Sequence, residues 1–229
     1  MVRADFDRSL EELQAELVGL SELVERAIIK SMDALERRDM AVAYEVVAED
    51  DLIDAKRFEL EEKCIDLIAT QQPLAIDLRT LLAVLHIAVE LERMGDYAEG
   101  IGKICLIIGD DVPVEIPKEL HKMSEMGLVM LRLSMKSLVE RDTTLAGDVW
   151  NSDDEVDELY DGVCRQIFLD MGQHPNTIEA ATHFLWVAHD LERIADRATN
   201  IAERVIFMVT GRFGRYLGKS QGDCRNLRI

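Results

Sequence analysis

A chain of 229 residues, 48% apolar and 5% aromatic, has enough apolar mass for a packed core. Only 4 Pro among abundant Ala, Leu, Glu, Met and Ile point to helices rather than a β-sandwich. A net charge of −19 excludes a general nucleic-acid binder, which needs a surplus of Lys and Arg. It favours cationic partners, either metal ions or basic protein surfaces, although an acidic surface also serves solubility. None of Cys64, Cys105, Cys164 and Cys224 forms a C-x-x-C pair, so no zinc-ribbon or thioredoxin pattern is present. No secretory h-region and no membrane-length apolar run is visible, and a cytoplasmic protein without membrane insertion is expected.

In chain order, Asp5 to Arg38 reads as an amphipathic helix, with Leu10, Leu13, Leu17, Leu20, Val24 and Ile28 three and four apart. Asp39 is a candidate N-cap for a second helix that runs to about Gln71. Pro73 ends that helix and opens a third, to about Ile108, followed by a turn over Gly109-Asp110-Asp111-Val112-Pro113. The second half repeats the plan: Pro117 to Arg141, then one helix from Asp142 to about Met171, a break at Gly172-Gln173-His174-Pro175, and Asn176 to Val209. From Gly211 the chain becomes basic, with Arg212, Arg215, Lys219, Arg225 and Arg228 against Asp223, and reads as a loose tail.

The repetition holds residue by residue. Leu35 to Asp54 matches Leu138 to Asp157 without gaps at an offset of 103, sharing Arg38/Arg141, Asp39/Asp142, Asp50/Asp153, Asp51/Asp154 and Asp54/Asp157. Leu91-Glu92-Arg93-Met94-Gly95-Asp96 returns as Leu191-Glu192-Arg193-Ile194-Ala195-Asp196. The chain is therefore expected to be all-α, two tandem three-helix bundles made by internal duplication: 1–110, 111–211, and a tail at 212–229.

Along the third helix one stripe is apolar throughout, from Val84 through Leu91 and Met94 to Ile108, and it recurs from Phe184 to Met208. A second stripe begins apolar and turns acidic at Glu92 and Asp96, and again at Glu192 and Asp196. Residues four apart on a helix share a face, so each pair presents two carboxylates together. Asp50/Asp54 and Asp153/Asp157 have the same spacing on the preceding helices. At about 1.5 Å per residue, Asp50/Asp54 and Glu92/Asp96, each about 20 residues from Pro73, fall at one height in an up-down-up bundle. Four converging carboxylates repel unless cations compensate, and oxygen-only ligands suit Mg, Mn, Ca or iron. One multi-carboxylate cation site per repeat is expected, against the alternative of solvated acidic edges. His189 falls one turn before Glu192, but its counterpart is Val89, so it is not part of the repeated set. No nucleophile–base set or Gly-rich phosphate loop is present, and the absence of Glu-x-x-His argues against the enzymatic alternative, a ferritin-type di-iron oxidase. A metal-free helical scaffold is the remaining alternative.

Gln71-Gln72-Pro73-Leu74-Ala75-Ile76-Asp77-Leu78-Arg79, the Leu91 to Ala98 segment, and Asp190 to Glu203 together resemble the PhoU family of phosphate-transport regulators. The resemblance covers the chain to about Gly211 and implies two three-helix bundles. It implies metal ions (iron, manganese or magnesium) held by Asp50, Asp54, Glu92, Asp96, Asp153, Asp157, Glu192 and Asp196. It also implies a non-enzymatic negative regulator of the phosphate starvation response. Such regulators work as cytoplasmic homodimers with the phosphate ABC transporter's ATPase subunit and, in many bacteria, a phosphate-sensing histidine kinase. The second repeat departs from the pattern with Glu179-Ala180-Ala181 in place of Asp77-Leu78-Arg79, and with Ala195 and Asn200 in place of Gly95 and Gly100.

Overall fold

Helix boundaries follow local chemistry at most corners. In the computed structural model, which describes residues 2–109 and 115–212, α1 spans Val2–Arg37, α2 Met40–Gln71 and α3 Ile76–Ile108. In the second half, α4 spans Lys118–Glu140, α5 Thr143–Asn151, α6 Asp153–Gln173 and α7 Ile178–Thr210, with a 3-10 turn at Pro175–Thr177. There is no strand among the described residues, and the expected all-α class holds.

The first corner of each repeat is built identically. Arg38 and Arg141 both turn out of the helix with φ 54°. The next residue then caps the following helix: Asp39 accepts from the amides of Ala41 and Val42, and Asp142 from those of Thr144 and Leu145. A carboxylate at this position satisfies donors that a helix start leaves unpaired.

Two expectations fail for local reasons. The third helix begins at Ile76, not near Pro73, because Gln72 and Ala75 both hold positive φ and the chain between them cannot be helical. The single helix expected over 142–171 is broken at Ser152. Its amide bonds both Asp148 and Val149 carbonyls, tightening the turn, and its hydroxyl takes the Asp148 carbonyl again. The first repeat has Ala48-Glu49 where this break has Asn151-Ser152, and Ala and Glu are the better helix formers. Most of the expected turn after Gly109, and the tail from residue 213, lie outside the described residues.

Helices α1, α2 and α3 form one bundle; α4, α5–α6 and α7 form the other. The bundles join chiefly along α3 and α7, and also through α1 and α4, so one apolar core runs through both halves. Every residue of the two expected apolar stripes on α3 and α7 is buried. The duplication extends into α1 and α4, where Ser21 and Ser124, and Ser31 and Ser134, are buried at the same offset. Ser31 and Ser134 each donate to a carbonyl three residues back, which removes the penalty of burying a hydroxyl.

Helices α3 and α7 run antiparallel. Arg79 donates to the Met208 carbonyl at 3.3 Å, Glu90 accepts from Arg197 at 3.0 Å and from Asn200 at 3.1 Å, and Gly100 lies against Asp190. In this register the two copies of the acidic motif lie at the same height. Arg38 similarly reaches the Gly109 carbonyl at the end of α3, so α3 and α7 each have an arginine at the C-terminus, where the helix dipole favours a cation.

Candidate metal centre

The α2 seam explains how carboxylates come to lie beside a core. Val46, Ile53, Leu60 and Cys64 are its buried positions. Asp50 and Arg57 occupy the intervening turns of the same seam, and both are half-buried. Opposite them, α3 offers Gly95. A β-carbon there would sit 3.0 Å from Ile53 Cδ1, 3.1 Å from Ile53 Cγ2 and 3.3 Å from an Asp50 oxygen. The missing side chain lets α2 approach α3 closely and draws Asp50 to the acidic edge of α3.

One carboxylate oxygen from each of Asp50, Asp54 and Asp96 lies within 4.8 Å of the others, the one such gathering of three ligand-type groups among the described residues. Asp54 Oδ1 is buried and makes no hydrogen bond. Asp50 is pushed up to about 7, by burial first and then by Glu99, Asp96 and Asp54. Asp96 is raised by burial, Asp54 and Glu99. An unsatisfied buried oxygen among mutually repelling carboxylates is the environment a hard cation would relieve, and the oxygen-only donors fit one. Glu92 stands at the edge of this group. Arg57 reaches it at 3.6 Å while bonding Glu61 at 2.7 Å. Burial and Asp96 raise Glu92, and Arg57 pulls it back.

The second repeat holds Asp153, Asp157, Glu192 and Asp196 in the corresponding places but arranges them otherwise. Burial, Asp196, Asp157 and Asp153 push Glu192 up to about 7 against the pull of Arg193, so all four carboxylates share one field. Arg193 binds Asp196 at 2.5 Å and comes within 3.8 Å of Glu192, and Arg197 approaches Asp196 at 3.9 Å. Glu192 Oε2 is buried without a hydrogen bond and has His189 4.0 Å away. Beside it opens a cleft of ≈ 530 Å³ lined by Asp154, Asp157, Glu158, Tyr160, Asp161 and Glu192.

Sequence reasoning missed Arg57, Tyr160, Arg197 and Glu99. Arg57 and Tyr160 occupy equivalent places on α2 and α6, so a gap-free comparison of the repeats carries that signal. It also missed the seven-residue recurrence of Ala88, Gly95 and Gly102, matched by Ala188, Ala195 and Ala202, all buried and small.

Taken together, a duplicated three-helix bundle with an acidic helix pair in each half defines a class of internally repeated all-α proteins. A family model described as the PhoU domain matches residues 17–105 and again 120–205. The chain belongs to the PhoU family. A Clostridium acetobutylicum protein named phosphate-specific transport system accessory protein PhoU homolog is 37% identical over 213 residues, covering 93% of this chain and 97% of its own. An Aquifex aeolicus protein of the same name is 36% identical over 89% of this chain and 92% of its own. The crystal structure of PhoU from Pseudomonas aeruginosa superposes with a TM-score of 0.85 at 29% identity, covering 90% of this chain and all of that one. That of the phosphate transport system regulatory protein PhoU from Streptococcus pneumoniae gives a TM-score of 0.83 at 29% identity, over 91% and 98%.

Proposed function

We propose that this protein is a cation-binding accessory regulator of phosphate uptake. It acts in the cytoplasm, as a homodimer, through contacts with the ATPase subunit of a phosphate ABC transporter and with a phosphate-sensing histidine kinase. It restrains the transporter and the phosphate starvation response, and works by binding rather than catalysis. The regulatory role is supported by relatives named as phosphate-transport accessory proteins that align over most of this chain and most of their own. No described helix is long and apolar enough to cross a membrane, consistent with action on a transporter from outside the bilayer. Residues 1–110 and 111–211 are taken as its two units.

The cation-binding part rests on one observation, the convergence of Asp50, Asp54 and Asp96 across α2 and α3. In the first repeat these three would hold the cation with Glu92 at the edge; in the second, Asp153, Asp157, Glu192 and Asp196 would do so. Iron, manganese and magnesium all suit such donors. A bound ion would neutralise the repulsion that now keeps Asp50 and Glu192 reluctant to ionise.

Deleting the gene should raise phosphate uptake and alkaline phosphatase activity at high phosphate; unchanged levels of both would refute the regulatory role. Metal content of protein purified without chelator should fall in an Asp96→Ala, Asp196→Ala variant. Equal content in both proteins would refute the cation sites.

A further inference from the structure

The motif arginines, Arg93 and Arg193, hold the same place in the two repeats but behave differently. Arg93 is exposed and has no carboxylate within ion-pair distance among the described residues, acting on Asp96 only through its charge at longer range. Arg193 is half-buried, bound to Asp196 at 2.5 Å and near Glu192 at 3.8 Å. The cause lies across the α3–α7 interface. The antiparallel register that pairs Glu90 with Asn200 and Gly100 with Asp190 sets position 93 opposite 197, and position 193 opposite 97. Residue 197 is an arginine and residue 97 a tyrosine. Arg93 therefore faces a like charge, already committed to Glu90 at 3.0 Å, and turns to solvent. Arg193 faces the Tyr97 hydroxyl and turns inward. Burial works against its charge, and Tyr97, Asp196 and Glu192 together outweigh that cost. The second site thus carries its guanidinium on Asp196 itself, whereas in the first Arg57 reaches only Glu92 at the edge and leaves Asp50, Asp54 and Asp96 facing one another.

We infer that Arg193 is an internal counter-ion of the second site, which an incoming divalent cation must displace from Asp196, so that the two sites fill in order, first repeat before second. The inference rests on the reading that both carboxylate sets bind divalent cations. It adds a route by which occupancy of the second site is felt elsewhere. Releasing Arg193 from Asp196 alters its contact with Tyr97, and Tyr97 lies on α3, one residue from Asp96 of the first site. Filling the second site therefore loosens or remakes a contact between the two bundles, and filling the first does not.

Titration of metal-free full-length protein with Mn(II), followed by calorimetry and by the EPR signal of free Mn(II), tests this. Wild type should show a tighter and a weaker class of sites. Arg193→Gln should tighten the weaker class by about fivefold, the scale of a half-buried ion pair of roughly 1 kcal/mol, and leave the tighter class unchanged. Arg193→Lys, which keeps the charge and guards against a packing effect, should tighten it less. Arg93→Gln should leave the weaker class unmoved, and Asp50→Asn should remove the tighter class alone. Hydrogen exchange around Tyr97 should change as the weaker class fills in wild type and not in Arg193→Gln. If Asp50→Asn removes the tight class while Arg193→Gln leaves the weak class unchanged or weaker, the counter-ion role is wrong and the cation sites stand. If wild type binds no Mn(II), both fail together.

Discussion

The two acidic sites carry the same four positions and solve the same electrostatic problem differently. In the first repeat the guanidinium comes from α2: Arg57 takes Glu92 and Glu61, and leaves Asp50, Asp54 and Asp96 facing one another. In the second, Tyr160 stands where Arg57 would be, and the guanidinium comes from α7: Arg193 takes Asp196. The packing beneath each site differs in step. Gly95 opposes the large Ile53, whereas Ala195 stands in the repeat that has the smaller Val156. The helix that carries the acids is continuous in one half and broken at Ser152 in the other. After a duplication, conserved acids do not guarantee equivalent sites, because the neighbours that set charge and spacing are free to change.

The largest effect that would break this comparison is loss of metal. Asp54→Asn should weaken the tight class of Mn(II) sites by on the order of 100-fold, since even outer-sphere partners of a metal cost 10–100-fold. Asp157→Asn should leave that class intact, as a titration of the two variants would reveal. If the two variants behave alike, the two sites are equivalent.

Packing comes next. Gly95→Ala forces a β-carbon against Ile53 and Asp50 and should destabilise by on the order of 1 kcal/mol, the overpacking cost less the gain in helix propensity. Adding Ile53→Val recreates the second repeat's pairing and should recover part of the loss. A double-mutant cycle by urea unfolding would show this as a favourable coupling between the two changes. Strict additivity would mean that Gly95 does not set the α2–α3 distance.

The pH dependence should change sign with metal. Asp50 keeps its proton in the fold up to about 7, whereas in the unfolded chain it ionises near its ordinary value of 3.8. Between those values the native state binds more protons, so stability falls as pH rises toward 7 and then levels off. Glu192 acts in the same direction. Metal-free protein should therefore melt at a lower temperature at pH 8 than at pH 5.5. With saturating Mn(II) the order should reverse, because the ion binds the ionised carboxylates.

The smallest effect concerns the break. Replacing Asn151-Ser152 with Ala-Glu, the first repeat's pair, should join α5 to α6 and stabilise by about 0.5–1 kcal/mol from propensity alone. Hydrogen exchange over residues 148–156 should slow in the variant. Unchanged protection there would locate the cause of the break in tertiary packing instead of local sequence.

The helical class, the duplication, the apolar stripes of α3 and α7 and the two Arg–Asp corners can all be read from the chain without its fold. Each of these follows from periodicity or from a cap within a few residues, and such local terms act before any tertiary contact forms. The common height of Asp50/Asp54 and Glu92/Asp96 was also legible, because helix rise and a short connection fix it. Which carboxylates meet is set by packing, since it depends on how closely α2 approaches at Gly95 and on which guanidinium reaches which acid. The difference between Arg93 and Arg193 was beyond any local reading. It is set by the residue each faces across the α3–α7 interface, a contact between positions about a hundred residues apart in the chain, where no helical periodicity reaches.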